Sequence, residues 1–153
     1  MSFNINLSEL AGLKAKLRAF GETVKNEVAI EGAAGMALVI YDEARTRVPV
    51  SLSPHFFYGS QFKKNGTKYL FQPGTLKGAI YRVFSPEKSS ATLKLYRVSW
   101  NHRKAPYGAM VEFGTSRAPA HSFIRMSTSR LNDAMAAGRA RMALKLTEIE
   151  ARS

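Results

Sequence analysis

Three histidines, His55, His102 and His121, and two carboxylates, Glu87 and Glu112, are the side chains in the middle of this 153-residue sequence that could hold a metal or move a proton. A helical zinc pair needs two histidines four residues apart with a carboxylate beside them, and these histidines are scattered. The chain has no cysteine, so neither a thiolate metal site nor a disulfide framework is open to it. The serines of "YGSQF" and "FGTSR" do not complete a nucleophile elbow, and no glycine cluster ends in Gly-Lys-Ser/Thr. Glu112 is left as the one acid among Arg103, Lys104, Arg117 and Arg125. It is read either as an ion-pair partner or as a general base with a tuned pKa, and the crowd of arginines favours the ion pair. No catalytic, cofactor or metal residue is assigned, and the expectation is a protein that is not an enzyme.

The charge that surrounds Glu112 is a property of one segment. The net charge is +12, yet residues 1–47 hold six basic and six acidic residues, whereas residues 48–130 hold thirteen against two. A field so one-sided favours acidic partners, either nucleic acid or an acidic protein surface. Length and a 45% hydrophobic content fit a single domain over residues 1–153. No apolar run reaches the roughly 18 residues of a membrane span, and the start "MSFNINLSEL" lacks a signal-peptide layout. The expectation is a soluble chain made in the cytoplasm, with no membrane partner.

The elements that must carry these residues follow from periodicity. Over residues 7–47, Leu7, Leu10, Leu13, Leu17, Phe20, Val24 and Val28, then Ala33, Ala37, Ile40, Tyr41, Ala44 and Val48, form one apolar stripe. It predicts a long helix with Ser8 as its N-cap and a core-facing stripe, kinked or split at Gly21, Gly32 and Gly35, and ended by Pro49. Residues 48–73 form a long excursion in which "FKKNGTKYLF" predicts a hairpin turning at Asn65-Gly66, both at positive φ. That hairpin carries Phe62, Tyr69 and Phe71 on its strands and Lys63, Lys64 and Lys68 near its tip. With Phe56, Phe57 and Tyr58 before it, it is the candidate interface, suited to stacking bases or to anchoring a protein contact; folding back onto the core is the competing reading.

Strands are predicted at "AIYRVFS", "ATLKLYRVSW" and "YGAMVEFG", with "SPEKSS" as the turn between the first two. Tyr81 and Val83 oppose Arg82 and Phe84, and Tyr107, Ala109, Val111 and Phe113 share one strand face. Leu131, Met135, Met142, Leu146 and Ile149 then mark a C-terminal helix over residues 121–150, with Gly138 as its weak point. The fold class is α+β: a long N-terminal helix, a small antiparallel sheet over residues 74–115 with a projecting hairpin, and a C-terminal helix.

The stretch "APYGAMVEFGTSRAPAHSFIRMS" resembles a signature of the tail-completion and head–tail joining proteins of long-tailed bacteriophages. It carries Tyr107, Val111, Glu112, Phe113, Gly114 and Thr115, then Phe123, Ile124 and Arg125 at the head of the last helix. Pro49-Val50 and "GTLKGAI" at 74–80 are also similar to the family. Gly108, Ala79, Ser122 and Met126 depart from its usual Ala, Ser, Pro and Pro. The resemblance implies a structural virion protein of the neck. It would be a subunit of a cyclic homo-oligomer that completes the tail and joins it to the head connector, next to a tail terminator or tube protein, with DNA passing through the lumen. It implies no cofactor. The competing expectation is a sequence-independent nucleic-acid-binding module, for which no recognised motif stands in the chain.

Under either reading the stretch from Tyr107 to Arg125 is a structural corner. Gly114 makes its turn, Phe123 seats the last helix, and Glu112 at its strand end takes Arg125 in a bidentate pair.

Overall fold

Helix α1 spans Leu7–Arg47 in the computed structural model of the chain, which describes the backbone of residues 7–152 and the side chains of residues 12–152. The side chains of Leu7, Ser8 and Leu10, expected as the start of the stripe and its cap, lie outside the described residues. The helix is continuous, so the split expected at the glycines is not found. The reason lies across the molecule, in helix α6 (Leu131–Arg152). A Cβ added at Gly32 would stand 2.7 Å from the Met142 side chain, one at Gly35 3.0 Å from the Ala137 carbonyl, and one at Gly138 2.7 Å from Met36. These glycines let two helices approach closely, and the packing gained offsets a propensity loss of about 1 kcal/mol each. Glu27 with Lys145 at 3.4 Å, Glu31 with Arg141 at 3.5 Å and Glu43 with Arg130 at 3.4 Å lie along the antiparallel seam.

Gly21 differs, because nothing lies within 4 Å of a Cβ placed there. Gly21→Ala is therefore expected to stabilise the protein by up to about 1 kcal/mol, read as a rise in melting temperature.

The apolar stripe of α1 is core only in part. Val28, Ala37, Ala44 and Val48 are buried, but Leu13, Leu17 and Phe20 are each more than half exposed. The expectation of a wholly core-facing stripe fails there: Ile149 and Arg152 of α6 draw level with Phe20 and Val24, and residues 12–20 are all exposed. On α6 itself Ala134 and Gly138 are buried, while Leu131, Met135, Met142 and Leu146 are exposed.

Between the helices the chain is built from short pieces: β1 (His55–Phe57), α2 (Phe62–Asn65), β2 (Tyr69–Phe71), α3 (Thr75–Ala79), β3 (Ile80–Phe84), a 3-10 turn at Pro86–Lys88, β4 (Tyr96–Trp100), α4 (Gly108–Phe113) and α5 (Ile124–Ser127). The architecture is α+β, with two separate two-stranded antiparallel sheets, β1–β2 and β3–β4. Strand β3 starts on Ile80 paired with Trp100 and ends on Phe84 paired with Tyr96. Ile80 and Trp100 are buried in the core, but the alternation does not carry along the strand: Arg82, on the same face as Ile80, is exposed, and Tyr81, on the same face as exposed Val83, is half-buried. The core gathers where α1 ends, around Ala44, Val48, Leu76, Ala79, Ile80, Trp100, Ala105 and Phe123.

Two segments of the expected sheet region 74–115 are helical. "GTLKGA" forms α3 from Thr75, starting after Gly74 at φ 81°. "YGAMVEFG" forms α4, so Tyr107, Ala109, Val111 and Phe113 do not share a strand face. Its buried residues are Gly108 and Glu112, four apart as on one helix face, and Phe113 is exposed. The C-terminal helix also begins later than residue 121, at Leu131, after α5 and a 3-10 turn at Thr128–Arg130.

Candidate functional site

The corner is built by Glu112. Its residue is buried, and its carboxylate accepts three backbone N–H groups from the start of α5: Phe123 at 2.8 Å and Ile124 at 3.0 Å on Oε2, and Arg125 at 2.9 Å on Oε1. Those are the amides that a helix start leaves without intrahelical partners. Glu112 therefore caps, from eleven residues upstream of Phe123, the turn that leads into α6. Burial pushes its pKa up, but the three amides and the Arg125 guanidinium outweigh that and hold the carboxyl below its ordinary value.

Arg125 is the expected partner, though the bidentate fork is not found. Its Nε lies 3.4 Å from Oε1, while its Nη2 donates to the Glu112 backbone carbonyl at 3.3 Å and to the Ser122 hydroxyl at 2.7 Å. The Ser122 hydroxyl in turn donates to the same carbonyl at 2.7 Å. The amides already occupy the carboxylate, so the guanidinium straddles side chain and backbone instead, with its carbon 5.2 Å from the Phe113 ring centre. Glu112 also sits on a helix, not at the end of a strand. Ser122, which departs from the resembled signature, thus has a structural task.

The rest of the corner is steric. Gly114 takes φ 76° and a Cβ there would meet the Ala120 nitrogen at 2.8 Å, so the turn requires glycine. The Thr115 hydroxyl accepts the amides of Arg117 and Ala118 at 3.2 and 3.1 Å, closing the loop. Phe123 is fully buried with its ring 5.6 Å from that of Trp100. Gly108 lies directly under the same indole: a Cβ there would be 2.3 Å from Trp100 Nε1. The glycine that departs from the signature makes room for a tryptophan that the sequence reading did not single out.

Tyr107 joins the corner to the candidate interface. Its ring lies 4.9 Å from Phe71, 5.0 Å from His55 and 6.2 Å from Phe57, and burial raises its pKa, partly offset by a hydrogen bond with the Leu76 backbone. The hairpin is therefore clamped to the body through one face. Strand register places Phe56 opposite Leu70 on the other face, and both are more than half exposed. Phe57 and Phe71 thus leave the set of contact residues, whereas Phe56, Tyr58, Phe62 and Tyr69 remain exposed and Leu70 joins them.

The tip differs from the tight turn expected. Phe62, Lys63, Lys64 and Asn65 form α2, and Gly66 caps it at φ 71°, donating its N–H to the Phe62 carbonyl at 2.9 Å. Asn65 is not at positive φ. One glycine suffices because the turn is a helix end, so Phe62 lies in the tip and not on a strand. Tyr58 stacks edge to face on Phe62 at 4.9 Å.

The histidines are apart. His55 is in the Tyr107 cluster, His102 lies 4.7 Å from the Trp100 ring, and the His121 amide donates to the Val111 carbonyl at 2.8 Å. No group of three metal-ligating side chains forms among the described residues. A hollow of about 400 Å³ between α1 and α6 is lined by Ala29, Ala33, Met36, Met135 and Met142, with Lys94 and Arg139 as its charged neighbours, and brings no nucleophile to a base. No helix of the described residues is long and apolar enough to cross a membrane. No protein-family model, curated protein or solved structure matches this chain.

Proposed function

We propose that the protein is a structural subunit of a phage neck, forming a cyclic assembly that completes the tail and joins it to the head connector. The observation that carries this reading is the pair of unlike apolar surfaces left uncovered on one chain. One is the α1 stripe of Leu13, Leu17 and Phe20; the other is the outward hairpin face of Phe56 and Leu70. Phe20 and Val48, beside the hairpin's end of the molecule, are separated along α1 by about 40 Å at ~1.5 Å per residue. Unlike patches at two ends suit heterologous contacts, which close into rings, better than a two-fold dimer. The motif order from Pro49 to Arg125 supports the same reading, and Glu112 then serves as a structural cap with no part in a reaction.

The test is particle mass, measured for the protein alone and mixed with a head connector or a tail-terminator protein. A monomer or small oligomer is expected alone, and a closed particle of many subunits in the mixture. A nucleic-acid-binding module is the second reading, favoured by the basic segment. Contact with roughly six phosphates would weaken DNA binding by about a thousandfold between about 50 and 200 mM salt. Tight DNA binding with that salt dependence, and no high-mass species with either partner, would replace the first reading with the second.

A further inference from the structure

We infer that the outward face of the β1–β2 hairpin docks on an acidic protein other than this chain. The inference rests on the reading of the chain as an assembling subunit and assigns its two uncovered surfaces to different neighbours. Register sets Phe56 opposite Leu70 on the face turned away from Tyr107, and a two-stranded hairpin that shows water such a pair presents a contact patch. Lys63 and Lys64 stand in the tip helix that joins the two strands, and Lys68 directly precedes β2. None of these lysines has an ion pair among the described residues, and residues 44–86 contain no aspartate or glutamate. The patch is thus apolar at its centre, basic at its edge and without internal neutralisation.

A second copy supplies little of the missing charge. Most acids of α1 and α6 whose side chains are described are paired within the chain: Glu22 with Lys25, Glu27 with Lys145, Glu31 with Arg141, Glu43 with Arg47 and Arg130, Asp133 with Arg130, and Glu148 with Lys145 and Arg152, which leaves Asp42 as an exposed acid without an ion pair. The uncovered stripe around Leu17 is flanked by Lys14, Lys16 and Arg18, which would repel the hairpin. Nucleic acid fits less well than protein, because stacking needs free ring faces. Tyr58 and Phe62 engage each other, Phe57 and Phe71 engage Tyr107, and the centre of the patch includes an aliphatic leucine. The chemistry that matches is a protein surface with an apolar cleft for Phe56 and Leu70, rimmed by carboxylates for the lysines.

The probe is a labelled amphipathic helical peptide with a leucine face and a glutamate face, followed by fluorescence anisotropy on the full chain. A single-stranded oligonucleotide is measured in parallel, and self-association is followed by sedimentation. Lys63→Glu with Lys64→Glu and Lys68→Glu is expected to weaken peptide binding by about tenfold or more. Phe56→Ser with Leu70→Ser should weaken it as well, including at high salt where the charge contribution is screened. Both variants should keep the wild-type melting temperature and sedimentation. The inference is overturned if the wild type does not bind the peptide or if binding ignores these changes. It is equally overturned if the variants lose self-association, which would make the patch a contact between copies, or lose only oligonucleotide binding. Failure of the neck reading is a separate result, namely no high-mass particle with connector or terminator, and leaves the peptide measurement standing.

Discussion

Glu112→Gln is expected to destabilise the protein by about 3 kcal/mol, read from denaturant unfolding, although the change is one atom in size. The carboxylate presents two acceptor oxygens to three amides, and a glutamine amide turns one of those acceptors into a donor. Whichever way the amide faces, at least one backbone N–H at the start of α5 meets another donor in a buried place. A lost charge-assisted bond and an unsatisfied buried donor are each worth about 1–3 kcal/mol. The cost does not come from stranding Arg125, whose side chain is 60% exposed and can turn to water.

The same residue sets an acid dependence. Its folded-state pKa lies below the ordinary carboxylate value, so its contribution is complete above about pH 4.5 and fades as pH falls through the folded value. Wild type should lose stability steeply below about pH 4, and Glu112→Gln should show a shallower acid limb. Equal stability of the two proteins at neutral pH, together with a turnover that the variant lacks, would instead make Glu112 a catalytic base and remove the structural account of the corner.

Gly108→Ala is the second large effect, also expected at about 3 kcal/mol. The added methyl would stand 2.3 Å from Trp100 Nε1 and 2.7 Å from Cδ1, well inside contact distance. The indole is buried against Phe123, so it cannot swing out without opening the core, and overpacking of this kind costs about 1–3 kcal/mol or more. Near-ultraviolet circular dichroism should change together with the melting temperature, because the single tryptophan must move. Trp100→Leu placed with Gly108→Ala should recover part of the loss, since it removes the clash. An undisturbed Trp100 signal in Gly108→Ala would show that α4 does not press on the indole.

Much of the architecture was legible from local pattern. The long helix, the strands at Ile80–Phe84 and Tyr96–Trp100, and the α+β class follow from periods that local sequence writes directly. So did the meeting of Glu112 with Arg125, because a lone acid among many bases must find one of them. What failed was decided by neighbours distant in sequence. Gly32, Gly35 and Gly138 read as weak points, since propensity counts only the cost within one helix, whereas their value lies in the approach of the other. Tyr107 to Phe113 shows a strand-like alternation, but Gly108 under Trp100 and Glu112 under the α5 amides select the helix, whose period of nearly four puts both on one side. Leu13, Leu17 and Phe20 obey the same period as the buried part of their helix and yet stand in water, since the described part of α6 draws level only with Phe20 and Val24. Periodicity states which residues share a face; only the packed chain decides whether anything covers it.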